Sequence, residues 1–367
     1  MPTFTKLLLL TLKLTLTQLL VSPVAPHAIN PSSPPKLERS LPEKLVVAYQ
    51  SWSECDDKVL DAVRSGVNVV IWFATNLESA YDGSALMAGG PNRTCVQEKI
   101  EALEELGYGR DKVTHLISVG GWDASHPDTS NTAEEYFEAF EKFSDGLYDG
   151  LDWDLEGNDS LTSQLNYFSK ECLLLMGDLS QLLHDAGYIV SMAPPESYLD
   201  IQTTEFSKYV NLTYPSDDWN TTPPFQYHGH NTYALPLAMH PDAFDFINFQ
   251  IYETKSHASY NTTILGTAQV DYLVDYINML LHTPLNVNFE TDEDFLSLGL
   301  QTIDIADKIV VGFIANGGVG GPITAANATK AYQQVEELGE GNIRGWFYWC
   351  LADDGDVMLP GVLSSVF

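Results

Sequence analysis

Three acidic residues alternate with apolar residues along one short stretch, DGLDWDLEG, at positions 149–157. Successive side chains of a β-strand point to opposite faces, so a strand here places the carboxyl groups of Asp152, Asp154 and Glu156 on one face. Like charges packed this closely persist mainly where one of them is protonated, which raises a pKa toward the range useful for general acid catalysis. The pattern predicts an acid–base site in which Glu156, next to the following loop, reaches the substrate.

The first acidic residue of the stretch, Asp149, has the opposite parity. We therefore expect Asp149 to point away from the substrate and to brace the strand or a neighbouring segment of backbone. The alternative interpretation of the whole stretch is an ordinary half-buried strand whose polar face is solvated.

The pattern Asp-x-x-Asp-x-Asp-x-Glu formed by these residues resembles the catalytic signature of family 18 glycoside hydrolases, which include chitinases and endo-β-N-acetylglucosaminidases. In its written-out form it is most similar to the class III chitinases. The resemblance implies a (β/α)8 TIM barrel, an α/β fold, with the acidic stretch as the fourth strand. It also implies hydrolysis of β-1,4 linkages between N-acetylglucosamine units with neither a cofactor nor a metal ion.

The rest of the chain must supply the strands and helices of such a barrel, and its hydrophobic pattern alternates accordingly. Besides the acidic stretch, the predicted strands are 45–49, 67–74, 113–119, 187–193, 244–252, 308–314 and 345–350. The predicted helices include 161–185, 268–281 and 325–338. An inserted loop region between strands five and six, residues 201–242, is too long for an ordinary connection. It is expected either to form a lip over the substrate or only to pack on the barrel.

Two further strands carry residues that match the family. Ser118 to Gly121 resembles the Ser-x-Gly-Gly of the third strand, and Tyr49 stands where many chitinases have a tyrosine on the first strand. The resemblance implies hydrogen bonds from Ser118 and Tyr49 to Asp152. It also makes Gly121 part of the substrate-binding face, and Trp122 is expected to wall the side of the leaving sugar.

The sixth and eighth strands add candidates for sugar binding. Gln250 and Tyr252 are similar to the Gln-x-Tyr-Asn of class III chitinases, although Glu253 replaces the last residue. Trp349 resembles the strand-eight tryptophan that floors the subsite of the reacting sugar. Taken singly, a tyrosine or tryptophan on a strand is more often a core residue.

The resemblance also implies a mechanism, because family 18 enzymes use the substrate itself as the nucleophile. Glu156 would protonate the glycosidic oxygen, while the acetamido oxygen of the sugar attacks its own C1. Asp154 would hold the acetamido N–H and Tyr252 its oxygen, and Asp152 would share a proton or hydrogen bond with Asp154. An endo-β-N-acetylglucosaminidase acting on N-glycans remains an alternative. A chitinase-like lectin ranks third because Glu156 is present.

Composition limits the possible partners. The 18 basic and 50 acidic residues give a formal net charge of −32, which argues against nucleic acid and anionic membranes as ligands. Neutral or cationic ligands such as chitin fit better, although acidity that mainly keeps the protein soluble is an equal explanation. A chain of 367 residues exceeds the roughly 250 residues of a typical barrel. The excess is enough for a leader and inserted loops, so one catalytic domain, 44–367, is expected. A monomer is also expected.

The N-terminal residues resemble a secretory leader. Lys6 precedes a leucine-rich run, which predicts a signal peptide over 1–28, a flexible leader over 29–43 and a secreted protein. An uncleaved membrane anchor is the alternative. Cys55 and Cys95 should lie in loops after the first and second strands and are predicted to form a disulfide.

Two further features are the other cysteines and the glycosylation sequons, of which the sequons agree with secretion. Cys172 and Cys350 are expected to be inert core thiols. Glycosylation sequons begin at Asn92, Asn158, Asn211, Asn220, Asn261 and Asn327. We expect Asn158 to stay unmodified, because a glycan two residues beyond Glu156 would crowd the substrate.

Overall fold

Short runs of valine, isoleucine, leucine and aromatic residues form parallel strands that are covered on both faces. In this computed structural model the described residues are 41–158, 160, 162–210, 229–252, 256–315, 323–339 and 341–367. All of them belong to the unit Glu38–Phe367. The predicted signal peptide, most of the predicted leader and Glu253 lie outside the described residues.

Eight of the strands close into a barrel. The strands in chain order are β1 Leu45–Tyr49, β2 Val69–Ser79, β3 Ala85–Gly89, β4 Thr114–Gly121, β5 Gly150–Leu155, β6 Ile189–Met192, β7 Phe246–Gln250, β8 Leu285–Asn288, β9 Leu300–Ile303, β10 Ile309–Ile314 and β11 Gly345–Trp349. The parallel order is β1, β2, β4, β5, β6, β7, β10 and β11, and β11 pairs again with β1. The chain therefore forms the predicted (β/α)8 barrel, with β5 as its fourth strand.

Helices follow the barrel strands on the outside. They are α1 Lys58–Arg64, α2 Arg93–Glu105, α3 Ala133–Ser144, α4 Lys170–Asp185, α5 Ala234–Met239, α6 His257–Ser259, α7 Gln269–His282, α8 Ala325–Leu338 and α9 Leu359–Ser364. None of the helices in the described part of the chain has the length and apolar content that a membrane crossing requires.

Strand parity separates two apolar cores. One core packs the outward side chains of the strands against the helices and includes Trp72, Trp153 and Trp346. The other lies inside the barrel and includes Tyr49 and Phe347. Because the strands are parallel and in register, the polar side chains that share the inward parity meet inside the barrel.

Several predicted boundaries were wrong. The helix predicted over 161–185 begins only at Lys170, because Ser169 caps it by accepting a hydrogen bond from Cys172 N. The second predicted strand, 67–74, extends to Ser79, where it forms a hairpin with β3. The antiparallel hairpin of β8 and β9 was not predicted.

The described parts of the insertion, 201–210 and 229–242, include the short helix α5. Cys55 and Cys95 form the predicted disulfide, with their Cα atoms 6.2 Å apart, although Cys95 lies in the first turn of α2 and not in a loop. Cys172 and Cys350 are buried free thiols, as expected, although Cys350 lies just beyond β11.

Candidate active site

The carboxyl groups of Asp152, Asp154 and Glu156 lie at the carboxyl-terminal half of β5 and point into the barrel. Asp152 is fully buried, and Glu156 is 8% exposed at the end of the strand. Gly150 permits the close approach of β5 to β6, since a Cβ atom there would lie 1.7 Å from Ile189 O. The acids therefore descend from the mouth of the barrel into its interior.

Three hydroxyl groups surround the deepest acid. Tyr49 Oη and Ser118 Oγ donate to Asp152 Oδ2 at 3.0 and 2.8 Å, and Ser191 Oγ donates to Oδ1 at 2.6 Å. The first two are the hydrogen bonds that the family resemblance implies. Burial raises the pKa of Asp152 to about 6, although the three hydrogen bonds oppose this shift. The carboxyl group therefore titrates in the mildly acidic range.

Tyr49 is held as a hydrogen-bond donor to this acid. Asn248 Nδ2 donates to Tyr49 Oη at 2.9 Å. Burial raises the pKa of Tyr49 well above its usual value, and the charges of Asp152 and Asp154 add to the effect. The phenol therefore stays protonated and directs its proton to Asp152.

The side-chain amide of Gln250 joins the two outer acids. Its Nε2 donates to Asp154 Oδ1 at 2.8 Å and to Ala193 O at 2.6 Å, and it lies 3.5 Å from Glu156 Oε1. Gln250 thus orients Asp154 beside Glu156 and ties both to the end of β6.

Aromatic rings surround the end of β11. The centroid of the Trp349 ring lies 4.6 Å from the ring centroid of Phe73, 6.0 Å from that of Tyr49 and 6.3 Å from that of Trp52. Trp52 is 47% exposed, so this cluster continues to the surface. Flat apolar rings beside carboxyl groups are suited to packing against a sugar face.

The other predicted aromatic residues, Tyr252 and Trp122, follow the ends of β7 and β4. The half-buried ring of Tyr252 contacts Phe347 at 6.3 Å. Trp122 is 38% exposed just after β4. A Cβ atom at Gly121 would lie 2.4 Å from Trp52, so glycine at this position allows that indole to cross the end of β4.

Asp149 points away from the acids, as its parity predicts. Its carboxylate accepts hydrogen bonds from Arg110 Nη1 and from His115 N, both at 2.7 Å. Asp149 therefore ties the start of β5 to β4 and to the loop that precedes β4.

The amide of Asn158 is engaged by its own loop. Its Nδ2 donates to Asp123 Oδ1 at 2.7 Å and to Ser163 Oγ at 3.0 Å. A glycan on this nitrogen would leave a single N–H, which could keep at most one of the two hydrogen bonds. The absence of modification at Asn158 stays a prediction. The sequons at Asn211 and Asn220 lie outside the described residues.

Sequence reasoning missed Ser191, Asn248 and Trp52. Ser191 is the polar residue of an otherwise apolar β6, and Asn248 shares β7 with Gln250. Both have the parity that points into the barrel. Counting parity from Ala193 and Gln250 would have identified them. Trp52 lies in a loop, where the sequence offers no such signal.

A second buried acid connects the segments that follow β6 and β7. Glu196 Oε2 accepts hydrogen bonds from Ser256 Oγ at 3.0 Å and His257 N at 2.8 Å. Burial raises the pKa of Glu196 to about 7, the charge of Asp200 adds to this, and the charge of His257 opposes it. Burial lowers the pKa of His257, but the pairing with Asp200, 3.6 Å from Nε2, and the charges of Glu196 and Asp200 outweigh burial. The pKa of His257 is therefore raised above its usual value.

This acid predicts a pH-dependent stability. Because the folded protein binds the Glu196 proton more tightly than the unfolded chain does, the resulting stabilisation is complete below about pH 4.5. It is lost as the pH rises through about 7. The protonated His257 contributes in the same direction. Between pH 5 and 8 the free energy of unfolding of the wild type, measured in urea, should decrease. For Glu196→Gln we expect this decrease to be smaller by roughly 1 to 3 kcal/mol. Exposed Glu104→Gln is the control, and an unchanged slope in Glu196→Gln would contradict the prediction.

Comparisons with known proteins address the fold. No family model matches the sequence, and no curated protein matches it. The C-terminal domain of ChiA from Legionella pneumophila is 15% identical with a TM-score of 0.57, covering 88% of this chain and 97% of that domain. A GH18 chitinase from Pseudoalteromonas aurantia is 16% identical with a TM-score of 0.55, and the match covers 88% of this chain and 100% of that chitinase.

A third similar structure has a different described activity. The xylanase and alpha-amylase inhibitor protein XAIP-II from Scadoxus multiflorus is 14% identical with a TM-score of 0.52, covering 88% of this chain and 98% of the inhibitor. The chain thus has the barrel fold that a GH18 chitinase shares with an inhibitor protein. The predicted fold is confirmed, and the fold alone does not decide between catalysis and inhibition.

Proposed function

We propose that this protein is a family 18 glycoside hydrolase that cleaves β-1,4 linkages between N-acetylglucosamine units with retention of configuration. The observation that carries the proposal is the arrangement of Asp154 and Glu156 around the Gln250 amide, above the buried Asp152. These groups lie at the carboxyl ends of the strands, which is the catalytic face of barrels of this type.

In the proposed reaction Glu156 acts first as an acid. It gives its proton to the glycosidic oxygen as the bond from C1 to that oxygen breaks. The acetamido oxygen of the same sugar forms a bond to C1, which leaves a cyclic oxazolinium ion. Glu156, now ionised, takes a proton from water as the water oxygen attacks C1 and reopens the ring. The two inversions retain the β configuration, and the reaction uses no metal ion or cofactor.

Asp154 and Tyr252 position the internal nucleophile. The carboxylate of Asp154 accepts a hydrogen bond from the acetamido N–H and stabilises the positive charge of the intermediate. The hydroxyl of Tyr252 donates to the acetamido oxygen and aims it at C1. Asp152 shares a proton with Asp154 when that side chain turns inward, so the acids titrate as a coupled set.

The aromatic residues bind the sugar rings. Trp349 lies on the inward face at the end of β11 and forms the floor beneath the reacting sugar. Trp122 walls the side of the leaving sugar, and Gly121 lets the indole of Trp52 cross the end of β4. Glu253 is assigned to a sugar hydroxyl by resemblance alone.

Chitooligosaccharides are the favoured substrates, and N-glycans are the alternative for the same set of acids. We expect the purified protein to convert N-acetylglucosamine hexamers into shorter oligomers, detected by mass spectrometry. A high-mannose glycoprotein incubated in parallel should keep its glycans. Release of glycans without cleavage of the hexamer would transfer the assignment to an endo-β-N-acetylglucosaminidase. Binding of the hexamer without any cleavage would favour a lectin.

We also propose that the protein is secreted. The leader-like sequence of residues 1–28 and the Cys55–Cys95 disulfide support this, because disulfides persist mainly in oxidising compartments.

A further inference from the structure

The main chain of β5 loses its partner on the β6 side just before Glu156. Ala193 N donates to Trp153 O at 2.7 Å. In a parallel ladder the next donor lies two residues further, and its acceptor would be Leu155 O. That next residue is Pro195, which has no N–H group. The carbonyl that precedes Glu156 therefore needs a donor from another part of the chain.

Two tyrosine hydroxyls hold the main chain on either side of Glu156. Tyr233 Oη donates to Leu155 O at 2.9 Å and takes the place of the missing ladder donor. On the other side, Gly157 N donates to Tyr198 Oη at 3.2 Å. Both tyrosines are fully buried, so neither contact exchanges freely with water.

The rings of Phe168 and His126 pack beside these two tyrosines. The ring of Phe168 lies 6.0 Å from that of Tyr198 and 6.4 Å from that of Tyr233. The imidazole of His126 lies 4.2 Å from the ring of Phe168, and its Nε2 is 3.3 Å from Glu156 O. The main-chain atoms of three consecutive residues are thus held by side chains from separate segments.

The two tyrosines come from the segment between β6 and β7. Tyr198 follows Pro195, and Tyr233 stands at the start of α5. Tyr233 N donates to Tyr198 O at 3.0 Å, and Asn231 Nδ2 donates to Thr203 O at the same distance. The part of this segment before residue 211 and the part after residue 228 are therefore hydrogen-bonded to each other as well as to β5.

We propose that Tyr198 and Tyr233 are positioning residues that fix the main chain around Glu156, so that these two residues of the connection between β6 and β7 complete the active site. The inference rests on the proposed role of Glu156. A buried carbonyl or amide that loses its partner tends to move toward another partner. A displacement of about 1 Å at a catalytic group is enough to lower a rate about 100-fold.

Tyr233 is suited to this role over a wide pH range. Burial raises its pKa well above the usual value, and the charges of Asp154, Glu156 and Asp152 add to the effect. Its hydroxyl therefore remains a donor at every pH at which the acids titrate.

Phenylalanine variants test the inference by removing only the hydroxyl groups. We expect Tyr233→Phe and Tyr198→Phe each to lower kcat on the hexamer about 10- to 100-fold. KM should stay within about threefold, because the sugar-binding residues are untouched. The control is Tyr188→Phe, which removes a hydroxyl that donates to Glu141 on the outer helices at 2.7 Å. A kcat within about twofold of wild type in both variants, or an equal loss in Tyr188→Phe, would overturn the inference.

Hydrogen exchange separates this inference from the proposed function. Peptides that span residues 154–158 should exchange at least about tenfold faster in both variants, whereas peptides from β4 should be unchanged. Unchanged protection of 154–158 would overturn the positioning role whatever the activity. If the wild type cleaves no oligosaccharide, the proposed function fails, while faster exchange still shows that the tyrosines hold this segment.

Discussion

Glu156→Gln is expected to lower the turnover of N-acetylglucosamine hexamers by ~100- to 10,000-fold, because the glycosidic oxygen loses its proton donor. Glutamine has the same shape as the glutamate. Its carbonyl oxygen can still lie beside the Gln250 amide, which is 3.5 Å from Glu156 Oε1 in the wild type. The loss should therefore appear in the chemical step rather than in folding.

The measurement compares kcat, hexamer affinity and thermal stability. Affinity should stay within about threefold of wild type, since the variant keeps the aromatic floor and Asp154. The exposed Glu104→Gln on α2 carries the same chemical change away from the site and should keep full activity. A Glu156→Gln variant with a nearly wild-type rate would exclude Glu156 as the acid and leave Asp154 as the next residue to test.

The acid face of β5 could be predicted because strand parity is a local property. The alternation of Asp152, Asp154 and Glu156 is visible in a single stretch, and it also placed Asp149 on the opposite face. The hydrogen-bond partners of Asp152 that come from β1 and β4 entered only through the family resemblance. Ser191 did not enter, because a lone serine in an apolar strand is identified only when the parity of that strand is counted, here back from Ala193.

The connections were the least predictable part of the chain. The sequence before Lys170 has helical periodicity, but Ser169 offers a capping side chain that begins the helix later. The contacts of Tyr198 and Tyr233 with β5 join residues far apart in sequence. Only the absence of an amide hydrogen at Pro195 indicated, in retrospect, that a donor was required there.

Removal of the acetamido group from the reacting sugar is expected to have the other large effect. If the acetamido oxygen is the nucleophile, cello-oligosaccharides of matched length should be cleaved at least about 1,000-fold more slowly. An oriented internal nucleophile has an effective molarity of about 10⁵ M or more, and no external group replaces it. A thiazoline analogue of N-acetylglucosamine, which resembles the cyclic intermediate, should inhibit competitively.

A fluorinated series of substrates makes this test sharper, because it changes the reactivity of the nucleophile with little change in its shape. Successive fluorine atoms on the N-acetyl methyl group withdraw electrons from the acetamido oxygen and should lower kcat stepwise. KM should change much less, because Asp154 and Tyr252 still contact the same N–H and oxygen atoms. If a carboxylate such as Asp154 attacked C1 instead, the rate would not follow the electron density of the acetamido oxygen. A kcat that is independent of fluorination, or comparable cleavage of cello-oligosaccharides, would contradict substrate assistance even in an active enzyme.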